Sequence, residues 1–269
     1  MTTAAIRMPA GLDALGQLLD RVAERQRQDF GQLDSEAKAD GSLITACDRW
    51  SDAALVEGLA ELYPGDGVLS EEGSQRVPNT QAYWVVDPLD GTTNFAAGIP
   101  YWAISLARFE NGVPVLAVLD VPPLRQRIVA IRGGGAWRKG KPLQAPSARN
   151  QVAGCASLCS RSIGVLQKLP HQRFPGKIRL LGVASLNLVS VAMGQTISAL
   201  EATPKIWDLG AAWLVLQELH CPMRWLLRDP ASLQPGEDLA DTNFPVLAAR
   251  DQGTLETFQP WADALIAGA

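Results

Sequence analysis

Two acids three positions apart close an apolar run at Trp84-Val85-Val86-Asp87-Pro88-Leu89-Asp90, and Gly91, Thr92, Thr93, Asn94 and Phe95 follow at once. The run reads as a buried strand and its abrupt end as a turn. Pro88 fixes its own φ and pushes Asp87 toward extended backbone, so the chain bends where the strand stops and both carboxylates can converge. Gly91 lets backbone N–H groups approach a ligand closely, and a helical turn starting near Thr92 would aim its positive end at an anion. Converging carboxylates hold a hard cation, and a helix start favours an anion. Together they describe a place for a metal ion and a phosphate. The plain alternative is an ordinary turn, because Asp, Pro and Gly all form turns.

Further acids stand at Ser70-Glu71-Glu72-Gly73, behind a short apolar strand at Val68 and Leu69. Others lie at Thr45-Ala46-Cys47-Asp48, with Lys38 upstream, and at Glu201 followed by Trp207-Asp208-Leu209-Gly210-Ala211-Ala212. Singly, Glu71 and Glu72 read as solvated charges, Asp208 as a helix cap and Trp207 as core that positions Asp208. In this order the four motifs resemble the inositol monophosphatase family of metal-dependent, lithium-sensitive sugar phosphatases. An Asp-x-Asp-Gly-Thr phosphatase is excluded, because aligning Asp90-Gly91-Thr92 with that motif puts Pro88 where the nucleophilic aspartate must stand.

The resemblance implies an α/β fold in five layers, α-β-α-β-α, with the metal site where two halves meet. It implies that Glu71, Asp87 and the backbone carbonyl of Leu89 hold one ion, and that Asp87, Asp90 and Asp208 hold a second. A third ion through Glu71 is known in the family. All-oxygen ligands select Mg²⁺ or Mn²⁺ over zinc or copper. Two ions about 3.5–4 Å apart clamp the attacking and leaving oxygens of an in-line displacement at phosphorus. Glu71 and Thr92 are expected to orient or deprotonate the attacking water, with Asp48 hydrogen-bonded to Thr92 behind them. Asp90, Gly91, Thr92, Gly182, Val183, Ala184, Glu201 and Asp208 are expected to contact substrate.

Inositol-1-phosphate or a related sugar phosphate is the first substrate reading. Histidinol phosphate, fructose 1,6-bisphosphate and 3′-phosphoadenosine 5′-phosphate are the alternatives. Two departures from the family bear on this choice: Gln217-Glu218-Leu219-His220-Cys221-Pro222 replaces a glycine-rich turn, and Val183 stands where a polar residue is usual. A non-catalytic metal- or phosphate-binding regulator is the competing class, but its signature, a lost ligand acid, is missing. The resemblance also implies a homodimer; Trp102 reads as core in preference to an interface anchor.

Composition agrees. The chain has 269 residues, 47% of them apolar, and a net charge of −4, which gives no basic footprint for nucleic acid. No apolar stretch has the length to cross a membrane, and Arg7, Pro9 and a charged amphipathic segment stand where a signal peptide would lie. A cytoplasmic protein is expected. Cys47, Cys155, Cys159 and Cys221 make no Cys-x-x-Cys pair and read as small buried hydrophobes; His171 and His220 read as surface or packing residues.

The elements that must position these acids follow from periodicity. Leu12, Leu15, Leu18, Leu19 and Val22 predict one helix, and a second is expected to open at Asp48 and bury Leu55, Leu59 and Leu62. Asn111-Gly112 predicts a hairpin between Ala103–Ala107 and Val115–Val118. Gly133-Gly134-Gly135 reads as a loop ahead of another strand. Strands are expected at 178–181 and 244–248, and helices at 184–193, from an N-cap-like Asp208 to Leu219, and at 254–266. The segment from Pro142 to Asn150 reads as the seam between an N-terminal metal-binding domain, 1–147, and a C-terminal domain, 148–269, that completes the site.

Overall fold

The computed structural model describes residues 11–32, 35–37, 43–146 and 154–267. Lys38 and the last residues of the expected seam, 147–150, lie outside them.

The leucine periodicity forms α1 (Asp13–Asp29), and a short hairpin of β1 (Ser35–Ala37) and β2 (Leu43–Thr45) leads into α2 (Ala46–Leu62). Next come β3 (Gly67–Ser70), β4 (Ala82–Asp90), α3 (Thr92–Ala96), β5 (Ala103–Glu110), β6 (Val113–Val121), β7 (Gln126–Ile131), β8 (Gly135–Arg138) and β9 (Lys141–Pro142). These seven strands form one sheet in chain order, antiparallel except for the parallel pair β3–β4. Asn111 and Gly112 both take positive φ, 51° and 78°, as a tight hairpin turn requires.

The chain continues with β10 (Cys155–Leu158), α4 (Val165–Lys168), β11 (Lys177–Arg179), α5 (Ala184–Ala192), β12 (Ser198–Glu201), α6 (Ile206–Glu218), β13 (Met223–Trp225), β14 (Val246–Ala249) and α7 (Gln252–Ile266). Five of these are strands of a second sheet, in the order β11-β10-β12-β14-β13.

Alternation along β4 explains the layering. Trp84 and Val86 point to one face of the large sheet, where Leu15, Leu19, Leu55 and Leu59 of α1 and α2 pack on them. Tyr83 and Val85 point to the other, among side chains of α5 and α6. Both faces are therefore buried, and every residue of β4 is buried. The central helices α5 and α6 are buried on nearly all sides, as a layer between two sheets must be. Leu158, Leu200 and Leu247 on the far side of the small sheet meet Phe258 and Trp261 of α7. The order is α-β-α-β-α, the five layers expected.

Local differences have local reasons. α2 starts two residues earlier than expected because Thr45 caps it, its hydroxyl accepting from Cys47 N at 3.2 Å and Asp48 N at 3.3 Å. α6 likewise starts at Ile206, so Asp208 is not an N-cap; it sits in the first turn and accepts from Lys205 N at 2.7 Å. α7 begins at Gln252, capped by Asp251, which accepts from Thr254 N. Leu62, expected in the core, ends α2 with 36% of its surface exposed. The strand expected at 178–181 stops at Arg179, which leaves Leu180 and Leu181 exposed. Among the described residues no helix is long and apolar enough to cross a membrane.

Candidate active site

Residues three apart on a regular strand face opposite sides of the sheet. Asp87 and Asp90 do not, because β4 carries an extra residue between them: Asp87 pairs with Ser105 and Asp90 with Ala103, three steps on one strand against two on the next. Such a bulge bends the strand and re-aims its side chains. Pro88, with no N–H to give, sits inside it. Asp87 Oδ1 accepts from Leu89 N at 2.9 Å, which fixes that carboxylate across the bulge.

Asp208 comes from the first turn of α6, and Asp87, Asp90 and Asp208 bring carboxylate oxygens within 4.8 Å of one another. Asp87 is 1% exposed and Asp90 7%. Burial, and then repulsion from Glu71 and the other acids, holds the Asp87 carboxyl well above its ordinary range; burial and the same neighbours do so for Asp208. Burial raises Asp90 too, opposed by hydrogen bonds from Ser185 and Ala184. Asp87 Oδ2 is buried with no hydrogen-bond partner. Packed acids of this kind are stable only when a proton or a cation lies between them.

Gly91 has φ 103°, which L side chains rarely adopt, and a Cβ there would stand 2.8 Å from Val183 Cγ2. Only glycine allows the chain to leave the bulge and enter α3 so close to the loop before α5. The Thr92 hydroxyl donates to Asp48 Oδ1 at 2.7 Å and lies 3.1 Å from the Leu89 carbonyl. The expected Asp48–Thr92 bond is present, and Asp48 is itself braced, accepting from Thr45 N at 2.8 Å. With its proton committed to Asp48, Thr92 Oγ1 faces the cavity as an acceptor. Glu71, just past β3, lines the same cavity with Asp87, Thr92 and Asp208.

An adjoining cavity shares Asp90, Arg161, Gly182 and Asp208 with the first. It is lined also by Val183, Ala184 and Glu201, so the structure brings the expected substrate-side residues to one place. Gly182, at φ 74°, turns the chain into α5. Asn94 ties α3 to that turn, donating to Tyr101 O at 2.9 Å and Leu181 O at 2.8 Å. Glu201 ends β12 fully buried and accepts from Asn187 Nδ2 at 2.8 Å; burial is the chief cause that pushes its carboxyl up to about 8. Trp207 is core, as expected, and its carbonyl accepts from Ser105 Oγ.

Sequence reasoning did not single out Arg161, Asn187 or the role of Cys159. Cys159 is corrected: it is half-buried and lines the adjoining cavity, unlike the buried Cys47, Cys155 and Cys221. Arg161 lines both cavities and donates to Thr203 Oγ1 at 2.9 Å. The available signal was positional. Cys159-Ser160-Arg161 follow the carboxyl end of a parallel strand, where α/β sheets gather their ligands.

A sequence profile of the inositol monophosphatase family matches residues 3–226. A histidinol-phosphatase of Mycobacterium tuberculosis is 35% identical over 215 residues, 75% of this chain and 82% of that one. A protein described as a putative Nus factor SuhB, from Neisseria meningitidis serogroup B, is 32% identical over 247 residues, 87% of this chain and 90% of that one. Among solved structures, an IMPase/NADP phosphatase complexed with Mg²⁺ and phosphate superposes with a TM-score of 0.77 at 25% identity, covering 95% of this chain and 94% of that one. With its layers, its bulged acid pair and these relatives in agreement, the chain belongs to the inositol monophosphatase family of phosphoric monoester hydrolases.

Proposed function

We propose that the chain hydrolyses the phosphate monoester of a small polyol or sugar, inositol-1-phosphate first among them, with Mg²⁺ held around the Asp87–Asp90 bulge. The observation that carries this reading is the convergence of Asp87, Asp90 and Asp208 to within 4.8 Å, with Asp87 Oδ2 buried and unpaired. A donor set of carboxylates and a carbonyl, without thiolate or imidazole, suits Mg²⁺ or Mn²⁺. In this reading Glu71, Asp87 and the Leu89 carbonyl hold one ion, and Asp87, Asp90 and Asp208 a second. Bound ions would supply positive charge to the phosphoryl oxygens, acidify a water and steady the leaving alkoxide.

The chain's own groups then have separate tasks. Thr92, its proton given to Asp48, accepts a hydrogen bond from the attacking water, and Glu71 takes that water's other proton. The water oxygen forms a bond to phosphorus as the opposite P–O bond breaks, and the alkoxide that leaves takes a proton from solvent water while Glu71 returns its proton to solvent. Gly91 keeps the backbone near enough to flank the phosphate. Gly182, Val183, Ala184 and Glu201 receive the alcohol, and Arg161, which lines both cavities, stands between phosphate and alcohol sides.

Histidinol phosphate is the second reading, favoured by the 35% identical relative and by Glu201 on the alcohol side, whose carboxylate would pair with an ammonium group. A regulator without activity is disfavoured because the sequence lacks none of the expected ligand acids. Phosphate release from a panel of inositol, sugar, histidinol and nucleotide phosphates, with Mg²⁺ and with excess chelator, is the test. Turnover of one polyol, sugar or amino-alcohol phosphate that stops with chelator supports the proposal. No release from any member, or full release in chelator, overturns it.

A further inference from the structure

We propose that Gln26, on α1 and remote from the acids in sequence, is a positioning residue that holds the metal-binding bulge in shape. The inference rests on the reading that Asp87, Asp90 and the Leu89 carbonyl bind the ions. The extra residue between Asp87 and Asp90 takes the Pro88 carbonyl out of the regular ladder to β5. A buried carbonyl without a donor is costly, and the bulge would straighten or shift to recover the bond.

The donor is the side chain of Gln26. It is fully buried, and its Nε2 donates to Pro88 O at 2.7 Å and to Ser51 Oγ of α2 at 3.1 Å. Its Oε1 accepts from Trp102 Nε1 at 3.0 Å. One amide thus joins α1, α2, the bulge and the start of β5, and both its donor and its acceptor atoms are used. Trp102 is stacked on Phe30 at 4.7 Å and meets Phe95 of α3 edge-on at 5.0 Å, so the amide is held between rings that cannot easily turn. Leu89 and Cys47 complete this apolar cluster behind the acids. Pro88 lies between Asp87 and the Leu89 carbonyl in the chain. Fixing its carbonyl fixes the direction of the atoms on either side.

A purely structural glutamine would lower stability and leave ion binding intact in the protein that folds. A positioning residue alters the ion's affinity. Outer partners that orient metal ligands typically change affinity about 10–100-fold when removed. Gln26→Glu keeps an acceptor for Trp102 and, when ionised, loses the donor to Pro88; Gln26→Met loses both. Leu19→Ala, in the core of the same helix, controls for destabilisation alone.

Mg²⁺ and Mn²⁺ binding measured by calorimetry on each full-length protein should be at least about tenfold weaker in Gln26→Glu and Gln26→Met than in wild type and unchanged in Leu19→Ala. Wild type alone provides a second measurement. Its Trp102 indole N–H resonance, assigned with Trp102→Phe, should move as Mg²⁺ is added. Wild-type affinity in either Gln26 variant, or a Trp102 signal that ignores saturating Mg²⁺, overturns the role of Gln26. Absence of ion binding by the wild type overturns the metal reading itself, and this inference with it.

Discussion

Asp90 Oδ2 accepts a hydrogen bond from the Ser185 amide at 2.7 Å, and Asp90 Oδ1 one from Ala184 N at 3.3 Å. An acid at the end of a strand in the first half of the chain therefore caps the N-terminus of α5 in the second. The helix has no cap from its own preceding residue, Val183. Asp90 both faces the proposed ion site and joins the two halves of the cavity.

Asp90→Asn should separate these two roles. Asparagine presents one acceptor and an NH₂ group, so one of the two α5 amides loses its partner, a change worth about 1 kcal/mol. Removing a buried charge beside Asp87 and Asp208 acts the other way, so the melting temperature in chelator should change little. Turnover should fall roughly 10²–10³-fold, as when one preorganised electrostatic group is lost. Near-normal turnover would refute the assignment of Asp90.

Thr92→Val removes a hydroxyl at nearly constant volume. If Thr92 orients the attacking water, kcat should fall about 10²-fold or more with KM nearly unchanged, while stability drops by about 1 kcal/mol for the lost bond to Asp48. Thr92→Ser keeps the hydroxyl and should retain most of the rate. Equal activity of the serine and valine variants would show that the hydroxyl is not used.

Much of this site was legible in the sequence. Asp87-Pro88-x-Asp90-Gly91 announced a bend with converging acids, and the Asn111-Gly112 hairpin and the leucine spacing of α1 placed the elements around it. What was not legible depended on long-range partners. Nothing near Gln26 says that its amide will meet a carbonyl at position 88, because the need arises from a bulge that exists only once β4 and β5 pair. Asp48 and Asp208 read as helix beginnings, and both lie one turn inside, where a carboxylate reaches back to the amide before the helix. Glu218, which stands in a departure from the family pattern, accepts from Gly133 N and Gly135 N at 2.8 Å each; it fixes the glycine loop between β7 and β8.

Removing metal should lower thermal stability, because the clustered acids lose their counter-charge. Saturating Mg²⁺ at about a hundred times its dissociation constant adds roughly 2.7 kcal/mol to a protein that binds it only when folded. The melting temperature should rise by several degrees with Mg²⁺ and fall back with chelator. A transition indifferent to both would count against the ion site.

Strongly alkaline pH should destabilise the fold through buried tyrosines and cysteines, in addition to any cost of ionising the buried carboxyls. Burial pushes Tyr83, Tyr101, Cys47 and Cys221 up to about 12, from ordinary values of 10 for tyrosine and 9 for cysteine. The folded state thus binds these protons more tightly than the unfolded chain, so the contribution is complete below pH 9 and is lost as pH rises toward 12. The melting temperature in chelator should decline above pH 9, and Tyr83→Phe should flatten part of that decline. A transition unchanged to pH 11 would contradict it.

Glu201→Gln discriminates between the substrate readings. Glutamine keeps the size of the side chain and an acceptor for Asn187 Nδ2, 2.8 Å away, and it can still exchange hydrogen bonds with a neutral hydroxyl. It cannot offer charge to an ammonium group. If the alcohol is a polyol or sugar, kcat/KM should fall only a few-fold. If it is an amino alcohol, its ammonium group should drive off the proton that burial keeps on Glu201 near neutral pH and pair with the carboxylate. Glutamine cannot form that pair, which should cost about 2–5 kcal/mol, a drop of roughly 30-fold to several thousandfold, carried mostly by KM. A large drop for inositol-1-phosphate together with an unchanged rate for histidinol phosphate would contradict both roles drawn for Glu201.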